Sequence, residues 1–354
     1  MHKKLHLSPA VIIAISAAVL FGASTPFAKL LIDEFPPILL AGVLYLGSGI
    51  GLLLFRIVKD KGWKTTGLKG ADWFWLIGSI IFGGILAPTL LMLGLLQSSA
   101  AMASLLLNFE GVLTAALAWV IFKEHTDKRM IIGMLLIVMG GVVLVLPNHL
   151  SSDSWFSSVM IILACLCWGI DNNLTRNISA SDSLFIAGSK GFFAGAVNVT
   201  LGLMIGLTLP SLLNISYAML IGFLGYGISL VLFVLALRGL GTARSGAYFS
   251  TAPFIGAAIA IIFFNDVTSI SFWIAAIFMM AGVWIHLTES HSHKHSHEKL
   301  NHNHFHHHDA HHQHKHDFEW DNSKPHAHAH QHEKITHSHQ HYPDIHHRHD
   351  HDEK

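Results

Sequence analysis

The chain has 354 residues, 52% of them hydrophobic and only 12% charged, with a mean hydropathy of +0.49. A soluble domain carries about twice that share of charge, so the composition excludes an ordinary soluble enzyme and describes a polytopic membrane protein with something polar attached. The formal net charge is zero, an average of an apolar body and a charged tail that says nothing about partners.

The body resolves into ten apolar segments, at 9–32, 37–58, 72–96, 99–122, 129–147, 155–178, 183–207, 214–237, 241–264 and 268–288. Charges in the connections set their direction. Arg56, Lys59, Lys61, Lys64 and Lys69 follow segment 2, Lys123, Lys128 and Arg129 follow segment 4, Arg176 ends segment 6, and Arg238 and Arg244 flank the turn after segment 8. All fall on the side of the N-terminus with its His2-Lys3-Lys4, and the opposite connections hold no Lys or Arg. The positive-inside rule then predicts a multi-pass protein of the plasma (inner) membrane with both termini cytoplasmic.

Segment 1 has a basic start like a secretory signal, but its length and its polar Ser24-Thr25-Pro26 mark it as a span. Lys29 and Asp33 near its outer end are expected to pair one helical turn apart and to snorkel. Gly47 with Gly51, Gly191 with Gly195, and Gly202 with Gly206 have the spacing that permits close helix contact.

Segment 4 carries the first polar concentration. As one helix, residues 100–122 are about 34 Å long, against a hydrocarbon core of roughly 30 Å, so Glu110 would lie near the midplane beside Asn108. An intramembrane carboxylate needs a wet cavity or a partner, and is by default a functional-site candidate. The competing reading is a protonated or hydrogen-bonded acid that only holds the bundle together.

Segment 6 carries the second. Its apolar run from Phe156 to Ile170 is too short to cross the core, so Asp171, Asn172 and Asn173 lie partly inside the membrane. Counted along segment 7, Lys190 reaches the depth of Asp171, which predicts an ion pair between neighbouring helices. The alternative makes Asp171 and Asn172 groups that contact a polar substrate. Counted from their own helix ends, Glu110 and Asp171 belong at different depths. Cys165 and Cys167 point in different directions on a helix, so neither a mutual disulfide nor a shared metal site is expected. In segment 9, Tyr248, Ser250, Thr251 and Pro253 occupy the positions that the internal repeat described below assigns opposite Asn108 to Gly111, and Pro253 can kink the helix.

The remainder, 289–354, is a different material. Of 29 histidines, all but His2, His6, His125, His149 and His286 lie here, which leaves 29 − 5 = 24. They alternate with other residues at His291, His293, His295, His297, then His304 and His306, His326, His328, His330, His332, and His337, His339, His341; His306, His307, His308, His311 and His312 cluster between. Almost no apolar residue is present, so a disordered tail is expected. Imidazoles at this density bind borderline divalent ions, Zn²⁺, Ni²⁺, Co²⁺ or Cu²⁺. A pH-sensitive charge brush and low-complexity drift are the other readings.

The body repeats itself. Phe21-Gly22-Ala23-Ser24-Thr25-Pro26-Phe27-Ala28-Lys29 aligns with Trp168-Gly169-Ile170-Asp171-Asn172-Asn173-Leu174-Thr175-Arg176, Ala41-Gly42 with Ala187-Gly188, and Phe122-Lys123-Glu124 with Phe264-Asn265-Asp266. Five spans per half is odd, so the second half is inverted, an arrangement whose site typically lies near the midplane between the halves. With the aromatic-Gly motif early in each half and an acid closing each fourth helix, the chain resembles the drug/metabolite transporter superfamily, specifically proteins with two tandem EamA domains. The resemblance covers residues 9 to 288, as 9–147 and 155–288, and departs from the motif by having Phe21-Gly22 where Trp-Gly is usual. It implies an all-α membrane protein of ten transmembrane helices in two inverted five-helix repeats. It further implies a secondary transporter, commonly an exporter of small metabolites, with a central cavity.

The expected function is therefore export of a small molecule past Asn108, Glu110, Asp171, Asn172, Tyr248 and Ser250, with proton coupling at Glu110 and no required cofactor. A divalent-metal exporter fed by the tail, and a membrane-anchored metal buffer without transport, are the alternatives. No nucleophile with a base, phosphate loop or zinc-ligand set points to an enzyme, and nothing points to nucleic acid.

Overall fold

The structure, a computed structural model, describes residues 9–62, 65–122, 128–146, 152–178, 181–240, 242–287, 291–297, 301–306, 326–331 and 335–341. The chain divides into two units, Met1–Glu289 and Ser290–Lys354.

The regular structure among the described residues of the first unit is helical. In chain order they form α1 (Pro9–Lys29), α2 (Pro37–Asp60), α3 (Asp72–Ser79), α4 (Ala87–Leu95), α5 (Ala100–Leu106), α6 (Phe109–Phe122), α7 (Lys128–Val145), α8 (Ser152–Arg176), α9 (Ser183–Met204), α10 (Leu212–Gly222), α11 (Ser229–Leu240), α12 (Thr242–Phe249), α13 (Ala252–Phe264) and α14 (Ile270–Leu287). A π-helical turn, Ile80–Leu86, joins α3 to α4, and another, Phe223–Ile228, joins α10 to α11. Eight helical stretches are long and apolar enough to cross a membrane: α1, α2, Asp72–Leu95, Ala100–Ile121, α7, Trp155–Arg176, α9 and Leu212–Ala236. Ala252–Phe264 and Ile270–His286 are apolar but shorter.

Side-chain caps explain several helix starts. Ser99 accepts from the Met102 N–H at 3.1 Å, Asp182 from Leu184 and Phe185 at 3.0 and 3.1 Å, and Ser211 from Asn214 at 3.3 Å, each filling an acceptor that a helix N-terminus lacks.

The single helix expected over 100–122 is corrected to two, because the chain turns at Leu107–Asn108. Asn108 folds back so that its Nδ2 donates to the Leu105 carbonyl at 2.8 Å, which also accepts the Asn108 backbone N–H at 3.1 Å. The corresponding place in the second half is also broken, at Ser250–Thr251. There Pro253 opens α13, Ser250 Oγ donates to the Gly246 carbonyl at 2.8 Å and Thr251 Oγ1 to the Tyr248 carbonyl at 2.6 Å. Each matched segment thus gives up regular helix near its middle, with polar side chains at the break folded back onto carbonyls of the preceding turn.

Glycine decides how the halves meet. A Cβ on Gly49 would lie 2.1 Å from the Phe192 nitrogen, one on Gly191 2.7 Å from the Gly49 nitrogen, and one on Gly195 2.5 Å from the Leu46 nitrogen. Helices α2 and α9 therefore touch backbone to backbone, as the Gly191 and Gly195 spacing predicts, whereas the pairing of Gly202 with Gly206 is corrected: Gly206 turns at φ 85° with nothing within 4 Å of an added Cβ. The motif glycines act alike: a Cβ on Gly22 would meet the Ala252 carbonyl at 2.3 Å and one on Gly169 the Thr114 nitrogen at 3.1 Å. In each half, the aromatic-Gly step lets one helix lie against the segment just past the break.

In the second unit, four extended segments form two antiparallel pairs. His291–His297 pairs with Ile335–His341, aligning His293 with His339 and His295 with His337. Asn301–His306 pairs with His326–Gln331, aligning His304 with His328 and His306 with His326. Strict alternation has the period of a strand, and backbone pairing requires no apolar core.

Candidate functional site

The site grows from the π-helical turn at Ile80–Leu86. A π turn shifts the backbone register and leaves a carbonyl for outside donors, and such turns recur at functional sites. Here Tyr45 Oη on α2 donates to the Gly83 carbonyl at 2.8 Å and Trp168 Nε1 on α8 donates to it at 3.1 Å. Asn198 on α9, wholly buried, donates to the Ile85 carbonyl of the same turn at 3.3 Å. Three helices are thereby pinned to one distorted turn.

Beside it lies the expected ion pair. Lys190 Nζ on α9 donates to both oxygens of Asp171 on α8, at 2.9 and 2.6 Å. Ser79 Oγ and Thr175 Oγ1 donate to the same carboxylate at 2.5 and 2.9 Å. Asp171 is 3% exposed and its lone pairs are filled, as a buried ion needs. A Cβ on Gly83 would fall 2.0 Å from Asp171 Oδ2, so glycine there makes room for the carboxylate.

One residue along α8, the environment changes. Asn172 is exposed, and its Nδ2 donates to Glu110 Oε1 at 3.0 Å and to Thr114 Oγ1 at 3.2 Å. Glu110, in the first turn of α6, keeps part of its surface although protein surrounds it, and it feels the charges of both Asp171 and Lys190. The contact brings Glu110 beside the residue that follows Asp171, nearer than counting from their own helix ends places them. Counting residues from helix ends assumes both helices run straight along the membrane normal, and the turn at Leu107–Asn108 breaks that count. Gly111, next along, is exposed, and a Cβ there would meet nothing within 4 Å.

Aromatic rings continue from this point into the other half. Tyr45 lies 5.6 Å from Tyr226 of the second π turn, Tyr226 6.1 Å from Phe21 on α1, Phe21 5.1 Å from Phe249 on α12, and Phe249 4.7 Å from Phe233 on α11. Hydropathy could not reveal this series, since an aromatic residue in a span looks like any core residue. The signal available was the glycine in each half, Gly83-Gly84 and Gly225-Tyr226-Gly227, at matching places in the two third helices.

The other expected residues divide. Asn108 is buried on the Leu105 carbonyl and the Met279 sulfur, at 2.8 and 3.9 Å, so it serves the helix break and does not join Glu110. Tyr248 lies in the last turn before the second break and Ser250 in the break itself, bonded back to the Gly246 carbonyl of α12. Lys29 does not pair with Asp33 as a surface couple: its Nζ donates to the Leu95 carbonyl and, at 3.3 Å, to the Leu96 carbonyl, while Asp33 and Asp266 act on it only through their charge. A lysine at the end of a membrane helix thus closes the C-terminus of its neighbour. His286 lies 3.0 Å from the Met130 carbonyl. Among the described residues no group of three His, Cys, Asp or Glu converges as a metal site. Of the tail histidines, His307, His308, His311, His312 and His332 lie outside the described residues, and the others are described only by their backbone.

Comparison with known proteins accords with this geometry. The model of the EamA-like transporter family matches residues 8–146 and again 155–288. A protein of Methanothermobacter thermautotrophicus described as an uncharacterized transporter is 27% identical over 287 residues, covering 77% of this chain and 84% of its own. Bacillus subtilis has the uncharacterized transporter YetK, 25% identical over 155 residues and covering 43% of this chain and 46% of its own. A crystal structure 16% identical superposes with a TM-score of 0.60 over 79% of this chain and 96% of that one, a likeness of fold. With both halves matched, the chain is a multi-pass membrane protein that belongs to the EamA-like transporter family.

Proposed function

We propose that the protein is a secondary transporter that exports a small metabolite from the cytoplasm across the plasma membrane. In this reading ten spans form two inverted five-helix halves, both termini are cytoplasmic, and the substrate passes between the halves. The observation that carries it is the Glu110–Asn172 contact: a carboxylate surrounded by protein that still keeps surface, beside a broken helix and a π turn. An acid needed only for packing would be filled like Asp171; Glu110 has oxygen to spare. Broken helices at matched positions of two repeats are where transporters of this kind bind their cargo. Glu110 carries the coupling proton, and Asp171 with Lys190 holds α8 and α9 in place beside it.

The tail, in the same reading, is a cytoplasmic metal-binding appendage for Zn²⁺, Ni²⁺, Co²⁺ or Cu²⁺, favoured by the alignment of His293 with His339 and His304 with His328 across paired segments. The test is transport by the full chain in proteoliposomes loaded with a panel of amino acids, amines, nucleobases and metal salts, under an imposed pH gradient. Movement of at least one organic compound, lost in Glu110→Gln, supports the proposal. Movement of metal ions alone would replace it with metal export.

A further inference from the structure

Resting on the reading of Glu110 and Asn172 as the transport site, we infer that the cargo is an organic monocation: a protonated amine joined to an apolar, ring-sized body. Charge is the first ground. Lys190 is held by both oxygens of Asp171, so that pair is neutral to its surroundings. The described partner of Glu110 is the uncharged amide of Asn172, and among the described residues its carboxylate forms no ion pair. When Glu110 releases its proton, the three ionisable groups together carry one negative charge that none of them compensates. A ligand with one positive charge cancels it, and a carboxylate or phosphate ligand doubles it.

The second ground is the surface beside that charge. Tyr45 shares the Gly83 carbonyl with Trp168 of α8, the helix that carries Asn172, and its ring begins the series that runs through Tyr226, Phe21 and Phe249 to Phe233. Phe21, Tyr226, Phe233 and Phe249 each keep part of their surface uncovered. Ring faces attract cations and pack against flat apolar groups, so this wall suits the body of an amine and also steadies its charge. The third ground is room: Gly111, the residue after Glu110, is exposed, and a Cβ there would meet nothing within 4 Å. Asn172 occupies Oε1, and no described group bonds the other carboxylate oxygen, which leaves it for an incoming N–H.

The experiment measures equilibrium binding of three probes of one shape to the full-length protein in detergent: phenethylamine, 2-phenylethanol and phenylacetate. Methylammonium is the ring-free cation. Phenethylamine should bind at least about tenfold more tightly than the alcohol and the acid, the ratio worth about one charge-assisted contact. Glu110→Gln should abolish that preference while the protein stays monodisperse. Tyr226→Leu should weaken phenethylamine but leave methylammonium unchanged, and Gly111→Leu, which keeps every charge, should weaken both amines by filling the space. Equal binding of amine and alcohol, or tightest binding of phenylacetate, overturns the inference. Proteoliposome flux of the compound panel keeps the two claims apart. Glu110-dependent movement of neutral or anionic compounds without phenethylamine would overturn the cargo class and leave the transporter standing, whereas no movement of any organic compound would overturn the transporter reading itself.

Discussion

Asp266 Oδ2 accepts a hydrogen bond from the backbone N–H of Ala101 at 2.8 Å, joining the residues just past the end of α13 to the first turn of α5. The chain reaches this point through Asn265 in the left-handed conformation, φ 56°, which ends α13 and turns Asp266 across. A carboxylate on the free N–H groups of a helix start is a strong cap, and here the cap comes from the opposite half of the chain. Lys29, which closes the carbonyls of Leu95 and Leu96 just before α5, completes the fastening. Asp266→Ala should lower stability by about 1 kcal/mol, in the range of a lost cap, with Asp266→Asn retaining part of it. Thermal unfolding in detergent checks this; an unchanged midpoint for Asp266→Ala would remove the cap from the account.

The Asp171–Lys190 pair predicts a non-additive cycle. Removing one partner leaves a buried charge uncompensated, at a cost of about 3–5 kcal/mol, whereas removing both leaves none. Asp171→Asn and Lys190→Met should each reduce the folded yield sharply, and the double variant should recover much of the loss. Additive losses in thermal unfolding of the three variants would mean that the charges act independently.

Glycine positions separate contact from open space. Gly49→Ala should destabilise the α2–α9 contact by about 1–3 kcal/mol, because its Cβ would lie 2.1 Å from backbone, while Gly111→Ala should be near neutral for stability. Unfolding midpoints of the two variants should therefore differ clearly, and a tolerated Gly49→Ala would mean the helices can separate freely.

Acid sensitivity should localise to Asp182, in the connection before α9. Burial pushes its carboxyl upward, but the Arg56 hydrogen bond, at 2.8 Å, together with the N–H groups of Phe185 and Leu184 and the Arg56 charge, holds it below the ordinary value of 3.8. A depressed folded-state value means that the stabilisation is fully present above the unfolded value and disappears as pH falls through the folded one. Stability of the wild type should thus drop below about pH 4, and Asp182→Asn should flatten that part of the profile. Equal acid sensitivity in both proteins would assign the effect elsewhere.

Much of this architecture was legible from the chain, for reasons that particular residues show. The depth match of Asp171 and Lys190 follows from helical rise, and the Gly191 and Gly195 spacing follows from what backbone contact demands. The break at Asn108, the π turn at Gly83 and the meeting of Tyr45 with Trp168 were not legible. Each depends on a partner more than 30 residues away or on a backbone distortion, and hydropathy averages over both. Lys29 shows the same limit: its nearest acid in sequence is Asp33, but the carbonyls it serves belong to Leu95 and Leu96. Arg56, wholly buried against Asp182 and the Phe185 ring, looked like an ordinary cytoplasmic-end charge.

The central claim is that Glu110 carries the coupling proton of transport. Its most direct measurement is substrate-driven proton flux in proteoliposomes of wild type and Glu110→Gln, with protein orientation and folded fraction matched. The account predicts that the Gln variant, which keeps the shape and the contact with Asn172 but cannot ionise, still binds substrate yet moves no protons and loses uphill transport. Wild-type proton flux and wild-type pH dependence in Glu110→Gln would contradict it.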